Sequence, residues 1–154
     1  MRGFLIYSIA LMPWSWMLGI AVNYFAEKSR MYTVISNQVF IKNDRINRWI
    51  GLEAFKWIVM KTFFRHFNQK IKIDSRLVYA DLVQLRKDMI FSEMSHLFAF
   101  ILVLPFVLLL ILHYNNYLFA GTLLAANLAF NLYPSLLQQK NKRRLDRVIA
   151  SYSR

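Results

Sequence analysis

The 154-residue chain has no cysteine. That excludes disulfides, thiolate metal sites and a cysteine nucleophile, and leaves the redox compartment open. It also has no internal repeat, no low-complexity tract and no glycine-rich phosphate loop. Acidic residues are scarce: 8 Asp and Glu against 20 Lys and Arg, a formal net charge of +12. Apolar residues are abundant. They make up 57% of the chain and fall in long blocks, whereas soluble domains run near ~45–50%. The basic residues flank those blocks. This matches positive-inside loops and anionic lipid headgroups better than nucleic acid, which is not expected as a partner.

The blocks predict one integral-membrane domain over residues 1–154. It is all-α, with about three transmembrane helices plus interfacial amphipathic helices. Residues 4–25 are near the ~20 needed to cross a bilayer, and read as an uncleaved span rather than a signal peptide. Ser8, Ser15, Gly19 and Asn23 share one face of that helix, a pattern typical of packing against other membrane helices. Residues 26–92 are basic and aromatic-rich. "NRWIGLEAFKWIVMKTFFRHFNQKIKI" carries Glu53, Lys56 and Lys61 too often for hydrocarbon. Its Trp and Lys suit the headgroup layer on the cytoplasmic side. A cleaner helix follows, with Asp74 or Ser75 as cap, Val78, Leu82, Leu85 and Met89 on one face, and Asp81, Gln84 and Asp88 turned away.

Residues 97–114 and 117–137 form a hairpin of two further spans about the "HYNNY" turn, where Asn115 and Asn116 are natural turn residues. The turn carries no Lys or Arg, while the tail 138–154 is strongly basic. A multi-pass protein of the cell membrane is expected, with the turn and N-terminus outside and the C-terminus cytoplasmic.

"FSEMSHLFAFILVLPF", from Phe91, places Glu93 and His96 one helical turn apart at the mouth of an apolar run. On the last span Asn127, Asn131, Pro134, Gln138 and Asn141 fall within a sector of about 80° at ~100° per residue. Pro134 frees the carbonyl of Phe130, which needs a partner in lipid. His96 and Pro134 each lie nineteen positions from Asn115. Glu93, His96, Asn131, Gln138 and Asn141 are therefore expected at one depth. Imidazole can take a proton from an alcohol near neutral pH. Glu93 would orient the ring and stabilise its charge, and amide groups would serve a developing oxyanion. Arg143 and Arg144 would grip phosphates of a donor or headgroup. The plainer alternative is a surface ion pair beside interhelical amide bonding. A metal is not expected, since a di-iron bundle needs two Glu-x-x-His motifs and the chain has one. His66 and His113 read as interfacial residues.

"SEMSHLFAFILVLPF" followed by "NLYPSLLQQKNKRRLDRVI" resembles the glycosyl-4,4′-diaponeurosporenoate acyltransferase family, small membrane proteins of staphyloxanthin-type carotenoid biosynthesis. The resemblance runs over roughly residues 40–149. It is carried by Glu93 and His96, Leu104-Pro105, Asn131 with Pro134, and Gln138 with Asn141, Lys142 and Arg144. The family's Gln-Arg-Tyr-Asn-Arg run reads Gln138-Gln139-Lys140-Asn141-Lys142 here. The resemblance implies fatty-acyl transfer to a hydroxyl, or an amine, of a glycolipid, carotenoid glycoside or other lipid acceptor. The partners implied are membrane lipids, a fatty-acyl donor of open identity and a lipid-soluble or glycosylated acceptor, with no cofactor. A non-catalytic accessory subunit of a larger membrane complex, with membrane-protein partners, is the competing expectation.

Overall fold

The computed structural model describes residues 2–61 and 79–152. The expected cap at Asp74 or Ser75, Val78 and His66 lie outside them. Among the described residues every regular element is helical. In chain order these are α1 (Arg2–Ala10), α2 (Met12–Ala26), α3 (Arg30–Asn37), α4 (Asp44–Trp49), α5 (Leu52–Lys61), α6 (Tyr79–Leu112), α7 (Tyr117–Asn127), a π segment (Leu128–Leu132) and α8 (Tyr133–Tyr152). Contacts group into two units, residues 1–38 with 91–135 and residues 39–90 with 136–154.

Two helical stretches are long and apolar enough to cross a membrane, Arg2–Ala26 and Tyr79–Leu112. Only 22% of the most apolar window of each is buried. A core helix of a soluble protein hides most of its surface. Here Ile6, Trp14, Met17, Phe106 and Leu112 point outward instead, as lipid-facing side chains do. The third apolar block is helical too, but it is divided among α7, the π segment and the start of α8.

In the first unit, the residues of α1 and α2 that are buried are Ser8, Met12, Ser15, Gly19 and Asn23. They are the small polar face expected from the spacing, with Met12 added. Ser8 Oγ donates to Thr122 at 3.2 Å. Phe4 stacks on Phe119 with ring centroids 5.2 Å apart. The chain start therefore lies beside the first turn of α7, at the level of the hairpin turn. Gly19 packs so closely on α6 that a Cβ there would sit 2.3 Å from the Ser95 carbonyl oxygen and 2.9 Å from Ala99 Cβ. Met12, Val103, Val107, Ala120, Leu123 and Ala126 form the apolar core. The hairpin turn uses both asparagines: Asn115 takes a left-handed conformation, φ 50°, and Asn116 Oδ1 accepts from Phe119 N at 3.1 Å. His113 is exposed, edge-on to Tyr114.

In the second unit, Leu82, Met89 and Leu145 make a small core flanked by Leu85, Val148 and Ile149. Asp81 and Gln84 are exposed on the other side of α6, and Gln84 bonds Asp88. Arg86 Nε meets Asp146 Oδ1 at 2.5 Å, and Lys140 pairs with Glu53.

Candidate active site

A cavity of about 180 Å³ opens in the first unit, lined by Trp16, Ile20, Phe91, Ser92, Ser95 and His96. Trp16 and Ile20 come from α2; the rest come from α6. One wall is aromatic and aliphatic, and the other carries two hydroxyls and an imidazole.

His96 is half-buried, edge-on to the Trp16 indole at 6.2 Å. Asn131, fully buried, is its neighbour. The Asn131 amide nitrogen donates to Ser15 Oγ at 3.0 Å and to Asn127 Oδ1 at 2.8 Å. Asn127 in turn donates to the Phe100 carbonyl at 3.0 Å. With its N–H groups spent there, what Asn131 offers the ring is Oδ1. Asn131 Oδ1 and His96 Nδ1 are both buried and without a hydrogen-bond partner. Buried polar atoms left unsatisfied carry a cost and call for an explanation. A proton on Nδ1 turned to Oδ1 would satisfy both.

The carbonyl of Phe130, which Pro134 deprives of its helical donor, receives the Trp16 indole N–H at 3.2 Å. One bond thus seals the proline defect and fixes the cavity wall. The π segment lies in the same stretch and presents Asn131.

Glu93 is fully buried. It makes no hydrogen bond to His96 Nδ1. Its charge bears on Tyr32 of α3, whose phenol is pushed above its ordinary value by burial, then by Glu27, with Glu93 adding to the effect and Asn23 opposing it. Asn23 itself donates to the Phe91 carbonyl at 3.0 Å and to Ser95 Oγ at 2.9 Å.

The structure thus brings His96 and Asn131 together. Gln138, Asn141, Arg143 and Arg144 belong to the second unit. Gln138 and Asn141 are half-buried there, and Arg144 is exposed. Arg143 donates to the Ile41 carbonyl at 3.2 Å. The buried polar positions of α8 are Ser135, Gln139 and Lys142, each one residue beyond Pro134, Gln138 and Asn141. The π segment is the reason: a wide turn takes up one extra residue, so all later side chains lag by about 100°. Gln139, missed from the sequence, accepts from the backbone N–H groups of Phe40 and Ile41 at 2.9 and 3.4 Å. No group of three or more His, Asp or Glu suited to a metal occurs among the described residues.

A family model described as glycosyl-4,4′-diaponeurosporenoate acyltransferase matches residues 28–151. The chain belongs to this family. Membership supports an acyltransferase role in carotenoid biosynthesis and, with the two apolar helices, a membrane protein. No curated protein and no solved structure matches the chain.

Proposed function

We propose that the chain is a membrane acyltransferase in which His96 is the general base. It moves a fatty-acyl group to a hydroxyl of a lipid-borne acceptor, a carotenoid glycoside being the acceptor in the family's description. The observation that carries this reading is that His96 lines the cavity beside Asn131, with His96 Nδ1 and Asn131 Oδ1 both buried and still to be satisfied. With Nδ1–H held toward Asn131 Oδ1, the ring presents Nε2 as a base to the acceptor hydroxyl. An amide that orients a catalytic imidazole is known chemistry, as in Cys-His-Asn proteases. Trp16, Ile20 and Phe91 supply an apolar wall suited to acyl chain. Glu93, one turn before His96, supplies negative charge that stabilises the imidazolium without bonding the ring. Arg143 and Arg144 serve anionic headgroups or donor phosphates.

Transfer onto glycosyl-4,4′-diaponeurosporenoate in membranes carrying the protein is the test. His96→Ala should abolish transfer while the protein still accumulates in the membrane. Glu93→Gln should reduce it less. A fully active His96→Ala protein would remove His96 from the mechanism. The docking of α1 beside the hairpin turn favours an N-terminus on the same side as that turn. A reporter after Arg154 should then read cytoplasmic and one inserted at Asn116 external; the reverse pattern would overturn that topology.

A further inference from the structure

We propose that the Ser95 hydroxyl is the donor that stabilises the oxyanion formed during acyl transfer. The proposal rests on the acyltransferase reading above. When an acceptor oxygen attacks an acyl carbonyl, negative charge collects on the carbonyl oxygen, and donors placed for that charge are a large source of rate. The polar groups around the cavity can be taken in turn. The Asn131 amide donates to Ser15 and Asn127. The Trp16 indole donates to the Phe130 carbonyl. The Asn23 amide donates to the Phe91 carbonyl and to Ser95 Oγ. The Ser15 hydroxyl donates to the Met12 carbonyl at 2.7 Å. On the cavity wall this leaves Ser92 and Ser95.

Ser95 differs from an ordinary helical serine. Such a serine commonly turns its hydroxyl back to the carbonyl four residues earlier. For Ser95 that carbonyl is Phe91, and Asn23 already donates to it. The same amide donates to Ser95 Oγ, which fixes the oxygen and satisfies its acceptor side. Among the described residues no acceptor takes the Ser95 hydroxyl hydrogen. The residue is 7% exposed and adjoins His96. A buried hydroxyl with its oxygen held and its hydrogen uncommitted is prearranged to donate. Ser92 lines the same cavity, but no hydrogen bond among the described residues holds it.

The step balances with an acyl thioester or ester as donor. The acceptor oxygen bonds to the acyl carbon, and its proton passes to His96. The carbonyl electron pair moves onto oxygen, which accepts a hydrogen bond from Ser95 without taking the proton. Collapse restores the carbonyl and expels the thiol or alcohol, which takes the proton from His96.

The test uses the full chain in detergent, with palmitoyl-coenzyme A and glycosyl-4,4′-diaponeurosporenoate as probes. Ser95→Ala should lower kcat by about 10²–10³ with little change in KM, and protein yield should be unchanged. Ser92→Ala should cost less. If Ser95→Ala fails to accumulate, Ser95→Cys keeps the size, donates poorly, and should show the same kcat loss. Wild-type kcat in Ser95→Ala, a loss wholly in KM, or a larger loss from Ser92→Ala would each overturn the proposal. His96→Ala separates the two failures. An inactive His96→Ala beside an active Ser95→Ala sinks only the Ser95 role. An active His96→Ala sinks the general-base reading and this one with it.

Discussion

The two units join their helices through different kinds of polar group. In the residue 1–38 and 91–135 unit, helices are joined by neutral groups: Ser8 to Thr122, Asn131 to Ser15, Asn127 to the Phe100 carbonyl, Asn23 to Ser95. In the residue 39–90 and 136–154 unit, the joints are Arg86 with Asp146, Lys140 with Glu53, and Arg143 and Gln139 on irregular backbone. Neutral joints suit a membrane interior better than charged ones do. A charge at membrane depth is expensive, whereas amides and hydroxyls can satisfy one another there. Glu93 breaks the pattern. It is a fully buried carboxylate in the first unit, on the same helix as His96, and an ionisable group at membrane depth is by default a candidate for function.

If the first unit depends on close backbone approach, Gly19 is where that dependence is greatest. Gly19→Leu drives a side chain into the Ser95 carbonyl, and α2 must leave α6. The bonds of Asn23 and the cavity go with it. Loss of folded protein from the membrane fraction is expected, read by detergent gel filtration. Gly121 has nothing within 4 Å of a built Cβ, so Gly121→Ala should accumulate normally. Equal tolerance at both positions would show that the close contact does not hold the unit together.

Asn131 comes next, because it joins packing and chemistry. Asn131→Ala removes the donor to Ser15 and Asn127 and the oxygen facing His96. Interhelical bonds in membranes are worth about 0.6–2 kcal/mol, so the fold should survive. Activity should fall by roughly 10²–10⁴, as for loss of the group that orients a catalytic imidazole. An activity loss matched by an equal loss of protein would assign Asn131 to packing alone.

These expectations also show which features could be read from the sequence. The inward face of α2 follows from a straight helical period, since nothing between Ser15 and Asn23 disturbs it. Leu82, Leu85 and Met89 were legible for the same reason. The Phe130 carbonyl was predictable as an orphan from Pro134, but not its partner, because Trp16 is 114 positions away. The polar stripe on the last segment was legible only as far as Asn131. Beyond it a straight period selects Pro134, Gln138 and Asn141, while the π segment turns Ser135, Gln139 and Lys142 inward. Ser95 and Asn23 carry no signal of chemistry in the sequence. Their significance lies in which of their hydrogens and lone pairs are already taken, and only coordinates reveal that.

The smallest expected effect lies in the second unit. Arg86 and Asp146 meet at 2.5 Å, but their side chains remain 30% and 41% exposed. Water and salt screen a pair so placed, and ordering two long side chains opposes the gain. Exposed pairs measured by double-mutant cycles give about 0.2–1 kcal/mol. Arg86→Gln, Asp146→Asn and the double variant, unfolded by heat in one detergent, should give a coupling in that range that shrinks as salt is added. Leu145→Ala, beside Leu82 and Met89 in the core, should cost more than breaking the pair, since it leaves a cavity that the pair does not. A coupling well above 1 kcal/mol, insensitive to salt, would place the pair in surroundings as dry as those of Asn131. The contrast between neutral joints in one unit and charged joints in the other would then reflect local sequence rather than the solvent each unit meets.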